Sequence, residues 1–168
     1  MAAMPSKPLA LDANVLFDLA EDLDSAHDFR ETFLAKGYSL IVPPTAVQEL
    51  VNFFDRATPP KAALAEKALT SMLGWGIRPL DLISVGHGIT ESFYERLVKK
   101  GLLPESEKHD GFILAETSLL NIPVLVTSDR HLLDMDADLL KIAFDEASLA
   151  QVAPCHPTRL LRAIRGKV

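Results

Sequence analysis

One cysteine, Cys155, leaves an intrachain disulfide without a partner, which fits a reducing cytosol and sets a cytoplasmic expectation. Cys155 itself reads as an inert small residue. Aromatic side chains are few, 7% with the single Trp75, and they fall at core or helical-stripe spacing. They are therefore not read as base-stacking platforms. No apolar run approaches the ~18 residues a membrane-spanning helix needs, so no membrane partner is expected. The opening MAAMPSKP is too short and polar to begin a signal peptide, because Asp12 interrupts any apolar core, and residues 1–7 are expected to form a disordered tail. Basic charge is also short: 17 Lys and Arg against 23 Asp and Glu leave a net charge of −6. Nucleic-acid binders normally carry a basic footprint. The sign speaks against one unless several acids crowd a single site and divalent cations neutralise them there.

What is present is a 48% hydrophobic chain of 168 residues, enough for one domain, 1–168, with a substantial core. It is organised around Leu9 to Leu19, LALDANVLFDL. A short apolar run, Leu9-Ala10-Leu11, meets Asp12, and an apolar helical pattern follows. In an open parallel sheet, ligands bind where strands end and helices begin. The helix start offers unpaired N–H groups and partial positive charge, which hold a carboxylate, and Asn14 is placed to orient it. Asp12 is also a plain N-cap residue. This stretch alone leaves both readings open.

Further along, Ser25 is a candidate N-cap for a helix that Gly37 closes, and Ser39 to Val42 reads as a second buried strand stopped by Pro43-Pro44. Thr45 and Gln48 have capping-box spacing, and Val47, Leu50, Val51 and Phe54 make a helical stripe beside Glu49. Lys61 to Leu73 is a helix. Ile77 to Ser84 is an edge strand or an extended connection, because Pro79 lacks an N–H. Helices are expected over Ile89 to Lys100 and, capped by Ser106, over Glu107 to Leu120. Val124 to Thr127 is the clearest strand and runs into Ser128-Asp129. Asp134 to Ala150 carries no assignment. Leu149 to Val152 is a candidate last strand, and Pro157 to Ile164 a terminal helix. Alternating strands and helices place the chain in the α/β class with a mainly parallel sheet wrapped in helices. Right-handed crossovers bring the strand C-termini, and with them Asp12 and Asp129, to one edge.

Glu49 and Asp110 compete for that same edge. Four carboxylates in one pocket repel, and some would be protonated unless a cation intervenes. Hard cations such as Mg²⁺ or Mn²⁺, one or two of them, prefer such oxygen ligands and can activate water against a phosphate. The pattern resembles the PIN-domain ribonucleases, the family that includes the toxins of type II toxin–antitoxin pairs. The resemblance lies in LDANVLFDL, PPTAVQELV and KHDGFILAETSLLNIPVLVTSDRHLL, from about Pro8 to Leu133, with VAPCHPTRLL similar to the family's last strand and helix. It implies a three-layer α/β/α sandwich on a mainly parallel sheet of about five strands. It implies Asp12, Asp110 and Asp129 as catalytic metal ligands, Glu49 as ligand or water-positioning base, and Asn14 and Thr127 as groups holding those carboxylates in register. An RNA substrate, an antitoxin protein and a homodimer are the implied partners. The segments 55–104 and 134–150 are longer than a minimal domain of this kind needs.

Several residues read more plainly. Glu116 is expected as a solvated helix-face residue, and Asp134, Asp136 and Asp138 as a loop and capping cluster. His87, His109 and His131 lack zinc spacing, although His109 could contact a phosphate. The Arg159, Arg162, Arg165 and Lys167 series reads as a solvated helix face. Arg130 and Lys108, which flank site acids, are better placed to guide an RNA backbone. Two other functions stay in view. One is a phosphotransferase with Asp12 as phosphoacceptor, although Asn14 stands where a second Asp is wanted. The other is a non-catalytic RNA- or protein-binding module.

Overall fold

In a computed structural model describing residues 7–82 and 84–166, five strands form one all-parallel sheet in the order β3-β2-β1-β4-β5. The strands are β1 (Lys7–Leu11), β2 (Tyr38–Val42), β3 (Ile77–Pro79), β4 (Val124–Val126) and β5 (Ala153–Cys155). Between and after them run α1 (Ala13–Ala20), α2 (Asp24–Ala35), α3 (Pro44–Arg56), α4 (Lys61–Ser71), α5 (Ser84–Lys99), α6 (Lys108–Leu119), α7 (Arg130–Leu133), α8 (Ala137–Glu146) and α9 (Pro157–Arg165). Successive strand residues point to opposite faces. Leu9, Ala10 and Leu11 are all buried, as are Leu40, Ile41 and Val42, so helices must cover both faces of the sheet. The result is the three-layer α/β/α sandwich expected.

The chain builds β1, β2 and β3 outward in one direction, then returns to lay β4 on the other side of β1. Ala10 pairs with Leu125 and Leu11 with Val126. The reversal between β1 and β4 is the topological switch point, where the C-terminal ends of two adjacent strands open a crevice. Asp12 follows β1 there and Thr127 follows β4.

Several elements differ from expectation. Lys7 opens β1 and pairs with Tyr38, so it is not part of the expected 1–7 tail; residues 1–6 lie outside the described residues. α5 begins at Ser84 rather than Ile89, because Gly86 and Gly88 are accommodated inside a helix whose Thr90 hydroxyl donates to the His87 carbonyl. The last strand is Ala153–Cys155 rather than 149–152. Pro154 lacks an N–H, but β5 is an edge strand with a neighbour on one side only, where proline is tolerated. Asp136 caps α8 by accepting from the Leu139 N–H at 3.0 Å, in agreement with its capping role. Stacking of Phe93 on Phe144, with centroids 4.6 Å apart, fixes α8 to α5. Neither Ser25 nor Ser106 caps a helix; Leu23 and Glu107 occupy those positions without side-chain bonds.

α6 lacks a polar face over most of its length. Asp110, Gly111 and every residue from Ile113 to Ser118 are buried. Such a helix must satisfy its polar groups internally. Thr117 donates to the Ile113 carbonyl and Ser118 to the Ala150 carbonyl, both at 2.6 Å. No helix among the described residues is long and apolar enough to cross a membrane.

Candidate active site

Asp12 occupies the N-cap of α1 and also faces the crevice, so the two readings of its stretch coexist. Oδ1 accepts from the Ala13 N–H at 2.8 Å. Oδ2 accepts from the Thr127 hydroxyl at 2.8 Å and from Asn14 Nδ2 at 3.2 Å. The carboxyl is 5% exposed. Burial pushes its pKa up, and the bonds from Thr127 and Ala13 oppose that shift. Asn14 does more than orient Asp12: its Oδ1 accepts from the Ser128 N–H at 3.1 Å, tying the start of α1 to the segment after β4. Thr127 Oγ1 in turn accepts from the Asp129 N–H at 3.0 Å. Asp129 caps α7, accepting from the His131 N–H at 2.8 Å. One Thr–Asn pair thus holds two acids from opposite halves of the chain.

Glu49 and Asp110 enter from α3 and α6. The Glu49 pKa rises to about 7, through burial first and then through repulsion by Asp12 and Asp129. The Asp110 pKa rises to about 8, through burial, then Asp129 and Asp12. Asp110 is 7% exposed, and its Oδ2 has no hydrogen-bond partner among the described residues. A buried carboxylate oxygen without a donor is costly unless it is protonated or meets a cation. All four predicted acids line one small cavity together with Asn14, Phe17, Phe53 and Lys61.

These donors suit a hard cation: every one is a carboxylate oxygen, and one of them is unsatisfied. Among the described residues no three acid, His or Cys side chains already stand at metal-ligand spacing. The four acids nonetheless line one pocket.

Glu116 departs from expectation. It is 2% exposed, not solvated, and both its oxygens are engaged at the start of α3. Oε1 accepts from the Thr45 N–H at 2.9 Å and Oε2 from the Thr45 hydroxyl at 2.6 Å. The Thr45–Gln48 capping box does not form, because α3 starts at Pro44 with Pro43 as its N-cap, two residues earlier than that box requires, and Thr45 turns to Glu116, while Gln48 donates to Asn52. The helix carrying Asp110 thereby caps the helix carrying Glu49. The buried run of α6 carried the signal: a Glu among Leu114, Ala115 and Thr117 lies on no polar stripe.

Two residues at the site had no clear signal. Glu107 adds repulsion to both Glu49 and Asp110 and sits 3.4 Å from His131 Nε2. Lys61 reaches the acid cavity from the start of α4, its ammonium 4.0 Å from the Phe17 ring centroid. His109 lies 3.3 Å from Glu49 Oε1. Asp134, Asp136 and Asp138 do not line the cavity.

No family model matches the chain, and no curated protein matches it either. Solved structures do. A chain of VapBC2 from Rickettsia felis, bound to a DNA fragment from the promoter, is similar at a TM-score of 0.62 and 17% identity, covering 89% of this chain and 98% of that one. FitAcB from Neisseria gonorrhoeae is similar at a TM-score of 0.54 and 19% identity, covering 89% and 97%. FitAB bound to the IR36 DNA fragment gives a TM-score of 0.55 at 17% identity, covering 89% and 94%. The chain has the PIN-domain fold. In open α/β sheets ligands bind at the topological switch point, and here the β1–β4 switch point holds the four acids.

Proposed function

We propose that this protein is a metal-dependent endoribonuclease of the PIN type, using Mg²⁺ or Mn²⁺, and that it serves as the toxin of a toxin–antitoxin pair. One observation carries the reading. Four carboxylates from four elements line a crevice at the strand ends, and one of them has a buried oxygen that no described residue satisfies. The structural likeness to chains of VapBC2 and FitAB supports the toxin assignment and with it an antitoxin partner; a homodimer is implied by the family resemblance alone.

Asp12, Asp110 and Asp129 would hold the cation, with Glu49 beside them. When bound, the ion supplies Lewis acidity that lowers the pKa of water and offsets charge on the phosphate under attack. Asp12 is fixed in orientation by Thr127, Ala13 and Asn14, whose hydrogen bonds favour its ionised form against the burial that raises its pKa. Glu49, whose pKa of about 7 in the metal-free site would fall beside a bound cation, would be ionised near neutral pH and could take a proton from the attacking water. His109 orients it from the rim. Lys61 lines the same pocket as the acids, where it can meet a phosphate oxygen.

Mn²⁺ titration by calorimetry, run in parallel with cleavage of a mixed RNA pool, tests the reading. Wild type should bind and cut, and Asp12→Asn and Asp129→Asn should lose both. Cutting retained in both variants removes the proposal. Absence of Mn²⁺ binding in the wild type leaves a non-catalytic binding module.

A further inference from the structure

We propose that the large cleft beside the acid pocket is a nucleobase site for single-stranded RNA, with Phe112 as its stacking surface and Lys108 and His109 holding the adjoining backbone. The proposal rests on the ribonuclease reading of the acids and extends it to how substrate is held.

Three cavities adjoin in sequence. The acid pocket shares Glu49 and Phe53 with a second cavity of about 500 Å³, which also contains Arg56 and His109. His109 is shared in turn with a third cleft of about 780 Å³ that contains Lys108 and Phe112. The three cavities therefore lie side by side from the four acids to Phe112, each sharing lining residues with the next, and the last has the size of an ordinary ligand site, ~300–1,000 Å³. Charge follows the same line. The molecule as a whole is at −6, yet the wall between the acids and Phe112 carries Arg56, His109 and Lys108. Among the acids on the far side, Glu116 has both oxygens committed to Thr45, and Asp81 faces His87 at 3.5 Å. Glu91 remains at the outer rim.

Phe112 is half-buried rather than part of the core, which its helical spacing did not reveal. Its ring is braced edge-to-face by Tyr94, with centroids 6.0 Å apart, and Lys108 Nζ lies 5.3 Å from its centroid. A base that takes the ammonium's place over this ring leaves Lys108 free to reach the base's own phosphate. Stacking needs a splayed base, which a single strand offers and a duplex does not.

The test is anisotropy of a fluorescein-labelled single-stranded RNA of twelve mixed nucleotides, bound to the full chain in EDTA so that nothing is cut. Phe112→Leu, which keeps the packing volume, and Lys108→Ala should each weaken binding by about tenfold. Phe112→Tyr should bind as wild type. Lys108→Ala should also lower the salt slope by about one, whereas Phe112→Leu should leave it unchanged. The same RNA annealed to its complement should bind more weakly than the single strand. Wild-type affinity in both loss variants, or a duplex bound as tightly as the single strand, overturns the proposal. So does a decaarginine peptide that loses affinity on these substitutions while RNA does not, since the cleft would then dock protein. Binding that persists and responds as stated, in a protein that never cuts RNA with Mn²⁺, upholds the cleft and removes the ribonuclease reading alone.

Discussion

The Thr127 hydroxyl has one proton and two acceptor sites, and all three are committed: it donates to Asp12 and accepts from Asn14 and from the Asp129 N–H. Valine has nearly the same shape but serves none of them. Thr127→Val should therefore cost about 1–3 kcal/mol in urea unfolding, as buried partners lose their bonds. It should also weaken Mn²⁺ binding about 10- to 100-fold by calorimetry, because the carboxylates lose their fixed orientation. Thr127→Ser should restore most of both, and a stability loss with unchanged Mn²⁺ affinity would separate the residue from the site. The acids themselves make stability pH-dependent. An unfolded chain ionises these carboxyls near 4, whereas the folded one holds the protons of Glu49 and Asp110 to about 7 and 8. The folded state thus binds more protons across that window, and metal-free stability must fall as pH rises from about 4 to 8, by at most about 1.4 kcal/mol per pH unit for each carboxyl. Thermal melts in EDTA between pH 5 and 8.5 should show the decline, and Asp110→Asn should flatten it. A flat wild-type profile would mean that the two carboxyls ionise normally.

At the scale of elements, α6 is the organising helix, since it carries Asp110, caps α3 through Glu116 and lies against α5. Its contact with α5 depends on Gly111, where an added Cβ would lie 2.9 Å from Tyr94 Cβ and 3.1 Å from Tyr94 Cα. A backbone atom cannot swing aside, so Gly111→Ala should force the helices apart and cost about 1–3 kcal/mol by overpacking. Because Gly111 adjoins Asp110, Mn²⁺ affinity should fall with it, and unchanged stability would show that the helices yield freely. Glu116→Ala should be at least as costly, since it strips the Thr45 N–H and hydroxyl of their acceptors. Glu116→Gln keeps an acceptor and a donor in place and should recover part of that loss. These roles were hard to read in the sequence for one reason: amphipathic periodicity marks helices with a wet face, and α6 has almost none. Elements with sharp local chemistry were legible. Asp12 and Asn14 after an apolar run, Glu49 one turn past Pro43-Pro44, and Thr127 and Asp129 at the end of β4 all lie where local pattern put them. Lys61 and Glu107 were not legible as site residues, because each reaches the crevice from a helix start that only the tertiary fold turns toward it. α8 and β5 escaped for different reasons, the first because exposed Leu139 and Ile142 blur its stripe of Leu140, Ala143 and Phe144, the second because it is hidden by a proline that an edge strand tolerates.

At the scale of the whole molecule, the switch point divides the acids by origin. Asp12 and Glu49 come from the β1–β2–β3 half of the chain, and Asp110 and Asp129 from the half that builds β4 and β5. Without a cation the two halves meet here through the Thr127–Asn14 bonds and the β1–β4 ladder, against the mutual repulsion of the acids. A cation shared by acids from both halves converts that repulsion into a link across the sheet. Binding to the native state alone stabilises by about 2.7 kcal/mol at a hundredfold excess over Kd. For a chain of this size each kcal/mol raises Tm by about 2–4 °C, so saturating Mn²⁺ should raise it by about 5–10 °C. The shift should be larger at pH 8 than at pH 6, because the ion must displace the protons that Glu49 and Asp110 hold there. The link also has a spatial signature: amide exchange in β1 and β4, which flank the crevice, should slow on Mn²⁺ binding more than exchange in the edge strands β3 and β5. Asp12→Asn, from one half, and Asp129→Asn, from the other, should each abolish both the shift and the protection. If one of them leaves the stabilisation intact, the ion sits within a single half of the chain and does not bridge the sheet.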